Sequence, residues 1–305
     1  MSFPDLTVEQ IAKALPEAKN ISYLNRGGQK VVFVGEMDGV KYALKFLRPA
    51  PHSFTATDPT KAAEDVSVDD VTARAHREVE TMRQCNTPHL IKPGPIGIKT
   101  VEVNGESLLF YTEEFIDGET LHEYLKRVGP LPIPDLIRLA AEVAQAVGAL
   151  WAFEKIHRDI KPGNIMRRRD GSYVLLDMGF VFDLNDDSYS IGPVGTMVFF
   201  SPEQTDFANR RTILDFRSDL FSLGMTLYIM ATGQHPFAIN AKNSFDVMVN
   251  IQKQQPNPPQ KARADLPIEF CDILVRLLAK RPSLRYRKIS MLLNALAAVP
   301  MGGNK

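Results

Sequence analysis

Four side chains in one short region of the sequence have types that suit chemistry on phosphate groups. Asp159 is followed two residues later by Lys161 and five residues later by Asn164, and Asp177 comes thirteen residues after Asn164. A carboxylate can orient a hydroxyl nucleophile, an ammonium can neutralise phosphate charge, and amide and carboxylate oxygens are ligands for Mg²⁺. Together the four supply what transfer of a phosphoryl group from ATP requires, because that reaction depends on positioning and charge neutralisation.

The bulk composition is that of a soluble globular protein with room for two lobes. The chain has 305 residues, of which 44% are hydrophobic and 24% are charged, and its 36 basic residues balance 36 acidic residues. Neutral charge gives no overall indication of nucleic-acid or anionic-membrane binding. Cys85 and Cys271 lie in helical patterns and have no metal-type spacing, so buried free thiols are predicted. No signal sequence and no membrane-length apolar run is found, which predicts a cytoplasmic protein.

The first part of the chain is rich in strand patterns. A short helix is predicted over residues 7–15, with Thr7 as its cap. The segments "KVVFVGEM" and "VKYALKFL" predict a hairpin closed by Asp38-Gly39. Two more strands are predicted near residues 98–103 and 107–113, with a turn at Asn104-Gly105.

Helical patterns dominate the remainder of the chain. A polar segment at 49–68, predicted to be a mobile insert, precedes a helix over 69–85. A long helix is predicted over 134–154, and from residue 213 onward the pattern is almost entirely helical apart from proline-rich loops.

The order of these motifs resembles the eukaryotic-type (Hanks-type) serine/threonine protein kinase family, in the manner of a bacterial or phage member. The family's catalytic loop is matched by His157-Arg158-Asp159 and Asn164, and its metal-binding D-F-G by Asp177-Met178-Gly179. "SPEQ" at 201–204 is similar to the family's A-P-E, and "YALKF" to its V-A-I-K. The resemblance covers about residues 20–295.

This resemblance implies an α+β, bilobal protein-kinase fold, with a small β-rich N-lobe and a larger, mainly α-helical C-lobe. Residues 1–305 form a single catalytic domain in this interpretation. The N-lobe takes residues 1–116, with the short N-terminal helix and the insert 49–68, and the C-lobe takes residues 117–305. ATP is expected between the lobes, with Mg²⁺ or Mn²⁺ as the metal.

The resemblance also assigns roles to individual residues. Asp159 orients or deprotonates the substrate hydroxyl, Lys161 offsets charge on the γ-phosphate, and Asn164 and Asp177 hold the metal. Thr196 matches the family threonine that contacts Asp159 and Lys161. The residues expected to bind ATP are Lys45, Glu78, Asn25, Gly27, Val32, Glu114 and Ile116. The residues expected to have structural roles are Arg158, Glu203, Asp219 and Arg285.

Four positions depart from the family pattern. In the glycine loop, Asn25 replaces the first glycine and Lys30 the third, while Gly27 remains. Asn tolerates left-handed backbone, so a turn is still expected at Asn25, and Lys30 either reaches the phosphates or faces solvent. Met178 replaces the D-F-G phenylalanine with another apolar side chain. Glu113 falls where the family lines the back of the adenine pocket, and a carboxylate there is unusual.

The segment between Asp177 and Glu203 carries three candidate phosphosites. Ser188 and Ser190 lie eight and six residues before Thr196, which is itself the third candidate. Autophosphorylation there, with a dimer acting in trans, is the expectation. Arg158 would pair with such a phosphate or would face solvent.

The prediction is therefore an ATP-dependent serine/threonine protein kinase that acts on protein substrates and binds no nucleic acid. A pseudokinase or nucleotide-binding scaffold, motivated by Lys30, and a small-molecule kinase remain as alternatives.

Overall fold

The computed structural model describes residues 5–26, 30–48, 68–183, 197–205 and 214–300, without the side chains of residues 68–70, 180, 182 and 183. The chain divides into two compact units, each of which is described by itself. The first comprises Met1–Gln84 and Ile91–Ile116, and the second comprises Cys85–Leu90 and Asp117–Lys305.

An antiparallel five-stranded sheet with the order β1-β2-β3-β5-β4 forms the first unit. Asp38 and Gly39 close the β2–β3 hairpin with φ values of 50° and 77°, and Asn104 and Gly105 close the β4–β5 hairpin with 53° and 77°. Both turns have the positive φ pair of a two-residue hairpin loop, as predicted. The strands are β1 (Lys19–Arg26), β2 (Lys30–Met37), β3 (Val40–Leu47), β4 (Lys99–Val103) and β5 (Glu106–Glu114).

One face of this sheet builds the hydrophobic core of the first unit. Helix α1 (Val8–Ala14) begins at Thr7 with a capping box that includes Gln10, which confirms the predicted cap. Its Ile11 and the following Leu15 are fully buried among alternate apolar residues of the strands. That alternation places every second residue on the core face, so the residues between them lie on the opposite face.

The opposite face carries several polar residues that the sequence analysis singled out. Lys45 of β3 lies across from Val32 of β2 and Tyr111 of β5. Glu113 shares a face with Tyr111 because the two are separated by one residue along β5. Helix α2 (Val68–Gln84) belongs to the same unit and supplies Glu78.

The second unit is mainly helical. Within it, α4 buries one apolar stripe, whereas nearly all of α5 is buried. Both cysteines are buried and free, as predicted. No helix of the described chain is both long and apolar enough to cross a membrane. The helices are α3 (Leu121–Arg127), α4 (Ile133–Trp151), α5 (Phe216–Thr232), α6 (Ser244–Lys253), α7 (Pro259–Ala262), α8 (Ile268–Leu277) and α9 (Ile289–Ala297).

Short strands in the second unit hold the segment around Asp159. One small sheet has the order β6-β8-β9, and β10 pairs with β7 in another. The segment from His157 to Asn164 lies in sequence between β7 and β8, and Asp177 follows β9, so the strands fix both ends of that segment. Their bounds are β6 (Gly118–Thr120), β7 (Lys155–Ile156), β8 (Ile165–Arg168), β9 (Tyr173–Leu175) and β10 (Phe182–Asp183).

The α+β class, with a β-rich first part and a mainly helical second part, is confirmed. The predicted helix bounds 69–85 and 134–154 differ from the observed bounds by one to three residues. The insert 49–68 lies outside the described residues apart from Val68, at which α2 begins.

Candidate active site

Asp159 lies at the centre of a hydrogen-bonded group in the second unit. Its side chain is buried, with 2% of the residue surface exposed. The Lys161 ammonium is 2.7 Å from Oδ2 of Asp159. Asn164 donates from Nδ2 to the same Oδ2 at 2.7 Å and to the Asp159 backbone oxygen at 2.9 Å. Two donors on one oxygen fix the orientation of the carboxylate.

Asp219 of α5 holds the backbone of the segment that contains Asp159. Its carboxylate accepts the backbone N–H of His157 at 2.7 Å and that of Arg158 at 2.9 Å. Arg158 has a φ of 66°, a left-handed conformation that needs such support. Burial raises the pKa of Asp219, and the two amide hydrogen bonds oppose that rise.

His157 has a structural part in the same loop. It is fully buried, its Nδ1 accepts the Asp159 N–H at 3.3 Å, and its Nε2 lies 3.0 Å from the Leu176 carbonyl oxygen. These bonds require the tautomer with the proton on Nε2. The imidazole therefore connects the backbone at Asp159 to the strand end that precedes Asp177.

Asp177 and Asn164 come from adjacent segments. The N–H of Leu176 donates to the Asn164 carbonyl at 2.8 Å, which joins the two segments one residue before Asp177. Asp177 has a φ of 64°, and its Oδ1 accepts the Gly179 N–H at 3.4 Å. Met178 is buried, as expected for its packing role.

The donor set fits a hard divalent cation. A carboxylate and an amide carbonyl are oxygen ligands of the kind that Mg²⁺ takes together with water and phosphate. Among the residues that the structure describes, no group of three or more His, Cys, Asp or Glu side chains could hold a metal by itself.

In the first unit, Lys45 has two acidic partners. Its Nζ is 2.9 Å from Oε1 of Glu78 and 2.6 Å from Oε1 of Glu113. The Tyr111 hydroxyl donates to Oε2 of Glu78 at 2.8 Å. The Lys45–Glu78 pair was expected, whereas sequence reasoning noted Glu113 only as unusual and missed Tyr111. The period-two spacing of Tyr111 and Glu113 along β5 was the available signal.

Glu113 titrates near neutrality because it is buried. Burial is the main cause that raises its pKa, the charge of Lys45 opposes the rise, and the charge of Glu78 adds to it, so that the pKa lies at about 7. Lys30 also lowers the pKa of Glu113. The anomalous glycine-loop lysine therefore acts electrostatically on Glu113.

The prediction of a left-handed turn at Asn25 is wrong. Asn25 is a strand residue of β1, in register with Val32, and it is absent from the positive-φ residues of the described chain. Pairing with β2 keeps it extended, and its Oδ1 accepts the Arg26 N–H at 2.7 Å. Gly27, predicted to contact ATP, lies outside the described residues.

Two other predicted ATP contacts lie at the end of the first unit. The N–H of Glu114 donates to the Lys92 carbonyl at 3.0 Å, and its side chain accepts the Lys92 N–H at 3.0 Å. These bonds hold the strand end in place. Ile116 is buried two residues later.

A buried ion pair joins the segment "SPEQ" to the chain near residue 285. Arg285 is fully buried and binds both carboxylate oxygens of Glu203, at 2.5 and 2.9 Å. Its guanidinium also donates to backbone carbonyls of Arg217, Ala279 and Lys280.

The candidate phosphosites Ser188, Ser190 and Thr196 lie outside the described residues.

Comparison with known proteins identifies the family of the chain. A family model described as "Protein kinase domain" matches residues 52–295. The chain is 32% identical over 234 residues to a probable serine/threonine-protein kinase PknB of Bifidobacterium longum, covering 74% of this chain and 33% of the relative. It is 30% identical over 218 residues to serine/threonine-protein kinase PknB of Mycolicibacterium smegmatis, covering 70% and 34%. The chain thus spans about a third of the length of these curated relatives.

Proposed function

This chain belongs to the protein kinase domain family, and from that premise we propose that it catalyses ATP-dependent phosphorylation of serine and threonine hydroxyls in proteins. The relatives named serine/threonine-protein kinases support the choice of acceptor. Lys161, two residues after Asp159, supports the same choice as the serine/threonine variant of the catalytic loop.

The observation that carries the proposal is the arrangement around Asp159. Its buried carboxylate is oriented by Lys161 and Asn164, which both contact Oδ2. A carboxylate fixed in this way can accept the proton of a hydroxyl nucleophile as that hydroxyl attacks phosphorus. Lys161 is positioned beside the same carboxylate and would neutralise charge that develops on the transferred phosphoryl group.

The remaining roles follow from the chemistry of the side chains. Asn164 and Asp177 would hold Mg²⁺ or Mn²⁺ through oxygen atoms, and the bound metal would neutralise phosphate charge. Lys45 would contact the α- and β-phosphates of ATP, positioned by Glu78. Val32 and the backbone at Glu114 and Ile116 would contact the adenine.

The proposal also covers regulation by phosphorylation and the cellular compartment. We place autophosphorylation at Ser188, Ser190 or Thr196, carried out in trans by a dimer. The two free cysteines are compatible with the reducing cytoplasm.

A nucleotide-binding scaffold without transferase activity is the second candidate. One observation favours it, namely that Lys45 is already bound by two carboxylates. A lysine held in this way has less charge available for phosphate than a lysine with a single partner.

Intact-mass spectrometry of phosphatase-treated protein incubated with Mg·ATP tests the proposed function. We expect additions of phosphate mass in the wild type and none in the Asp159→Asn variant, because an amide cannot accept the hydroxyl proton. Peptide mapping would then locate the modified residues and test Ser188, Ser190 and Thr196.

Failure to add phosphate separates the alternatives when nucleotide binding is measured alongside. Binding of ATP without phosphate addition, to itself or to a panel of protein substrates, would support the scaffold. Absence of both binding and transfer would overturn the proposed function.

A further inference from the structure

Lys45 contacts two carboxylates, those of Glu78 and Glu113, whereas the proposed reaction uses only that of Glu78. Glu78 reaches the ammonium from α2, and Glu113 reaches it from β5 at the shorter distance of 2.6 Å. Both glutamates are 4% exposed and Lys45 is 6% exposed. Glu113 has no part in the proposed reaction, so its position requires a separate explanation.

The register of the sheet explains why Glu113 reaches Lys45. Strands β3 and β5 are antiparallel, with Lys45 opposite Tyr111 and Ala43 opposite Glu113. Lys45 and Glu113 are therefore diagonal neighbours on one face, a separation that long side chains span. The register is fixed by the hydrophobic core on the other face, since a slip of one residue would expose that core.

The charges of the three side chains in direct contact, Lys45, Glu78 and Glu113, do not balance. Lys45 contributes one positive charge, and Glu78 and Glu113 contribute two negative charges when both are ionised. Lys30 of β2 also acts on Glu113, and Tyr111 of β5 turns its hydroxyl to Glu78. A buried excess of negative charge is costly, and protonation of one carboxyl removes it. Glu113 is the carboxyl with the raised pKa, about 7.

We propose that Glu113 is a positioning residue for Lys45 that competes with nucleotide phosphate for the Lys45 ammonium, and that proton loss from Glu113 weakens nucleotide binding. This inference rests on the proposed function, in which Lys45 contacts phosphate. In its neutral form, Glu113 keeps a hydrogen bond to Lys45 but leaves the positive charge to the phosphates. In its ionised form, it binds Lys45 more strongly and repels an approaching polyanion.

The first experiment compares the affinity of Mg·ADP for wild type and Glu113→Gln by isothermal titration calorimetry at pH 6 and pH 8.5. Mg·ADP carries the phosphates that Lys45 would contact and undergoes no transfer during the measurement. We expect Glu113→Gln to bind roughly three- to tenfold more tightly than wild type at pH 8.5, and about equally at pH 6. The ratio of the two affinities at each pH cancels the titration of the nucleotide itself.

A matched control is available on the same strand. Glu106 of β5 also forms an ion pair, with Arg48 at 3.2 Å, but both side chains are about one third exposed. Glu106→Gln removes one carboxylate from β5 and should leave the affinity at wild-type values at both pH values. Glu113→Asp retains the charge and should keep the wild-type pH dependence. Glu113→Met provides a second neutral variant if Glu113→Gln does not fold.

A second readout needs no nucleotide. Lys45 in the nucleotide-free protein is labelled with an amine-reactive ester at pH 8.5, and the rate is followed by peptide mass spectrometry. We expect labelling of Lys45 to be about threefold faster or more in Glu113→Gln, because loss of a neighbouring carboxylate favours the uncharged, nucleophilic amine. Glu106→Gln should label at the wild-type rate.

The outcomes separate this inference from the proposed function. Faster labelling together with tighter binding at pH 8.5 supports the inference. Wild-type binding and labelling in a folded Glu113→Gln variant would overturn it and leave the kinase assignment intact. Absence of Mg·ADP binding in every variant would overturn nucleotide binding and the proposed competition together, and the labelling rates would still show whether Glu113 holds Lys45.

Discussion

The two buried ion clusters differ in how their charges are compensated. Asp159 is one carboxylate with a cationic donor and an amide donor, so its negative charge is stabilised from both sides. Lys45 is one ammonium in direct contact with two carboxylates, so these contacts contain one more negative than positive charge when both carboxyls are ionised. The first arrangement fixes the orientation of a carboxylate, whereas the second raises the pKa of Glu113 to about 7.

The excess charge leads to a prediction about the pH dependence of stability. The pKa of Glu113 is raised from 4.5 to about 7 in the folded protein. Between these values the folded state binds more protons than the unfolded state, so the free energy of unfolding falls as pH rises. Glu113→Gln lacks this loss, and its stability relative to wild type should improve by on the order of 3 kcal/mol between pH 4.5 and pH 7.5.

Urea unfolding of both proteins at half-unit pH intervals measures this difference. The Glu106→Gln variant serves as the control, because Glu106 is partly exposed in its ion pair with Arg48. A constant difference between wild type and Glu113→Gln across the whole range would contradict a neutral-range titration of Glu113.

Local spacing could identify residues whose partners are close along the chain, whereas the more distant Lys45–Glu78 pair was expected only from the resemblance to a known family. Asp159, Lys161 and Asn164 lie within six residues, and the structure brings them together. Glu113 contacts a lysine that is 68 residues away in sequence. No local spacing indicates such a contact, because it depends on the pairing and register of β3 and β5. The roles assigned to these residues stay predictions until activity is measured.

At the scale of elements, the same distinction explains which strands were predicted. Asp38-Gly39 and Asn104-Gly105 determine their hairpins locally, since both residues of each turn adopt positive φ. Strands β6 and β7 have three and two residues, and they pair with β8 and β10. Strands this short show no periodicity, so only the tertiary structure reveals them.

Helix packing in the second unit requires one particular glycine. A Cβ atom at Gly224 of α5 would lie 2.7 Å from Cβ of Leu277 in α8 and 3.3 Å from Cδ2 of Leu278. The first contact involves an atom that is fixed to the helix backbone and cannot move away by changing rotamer. The two helices therefore approach closely because residue 224 lacks a side chain.

Gly224→Ala should destabilise the second unit by about 1–3 kcal/mol, because the added methyl group overpacks this contact. The matched control is Gly148→Ala in α4, where the nearest atom to an added Cβ is Cγ1 of Ile289 at 3.4 Å. That substitution should be neutral or stabilising by up to about 1 kcal/mol, since alanine favours a helix interior. Chemical denaturation measures both effects, and equal shifts in the two variants would contradict the packing argument.

At the scale of the whole molecule, the structure describes a part of the chain that the family match does not cover. The family model matches residues 52–295, so β1, β2, β3 and Lys45 precede the matched region. The five-stranded sheet nevertheless positions Lys45 against Glu78. The predicted α+β protein-kinase fold is thus confirmed by the match and the sheet together. The prediction of a single catalytic domain with a boundary at residue 116 remains a prediction.

The Glu203–Arg285 pair connects positions that are 82 residues apart in sequence, so it contributes to the stability of the second unit as a whole. Arg285→Met or Glu203→Gln alone leaves one buried charge without its counter-ion and should lower the free energy of unfolding by about 3–5 kcal/mol. The double variant removes both charges, and its loss should be smaller than the sum of the single losses by about 1–3 kcal/mol. Urea denaturation of all four proteins measures this coupling. Additive losses would mean that the backbone hydrogen bonds of Arg285, rather than the carboxylate of Glu203, account for the conformation of this region.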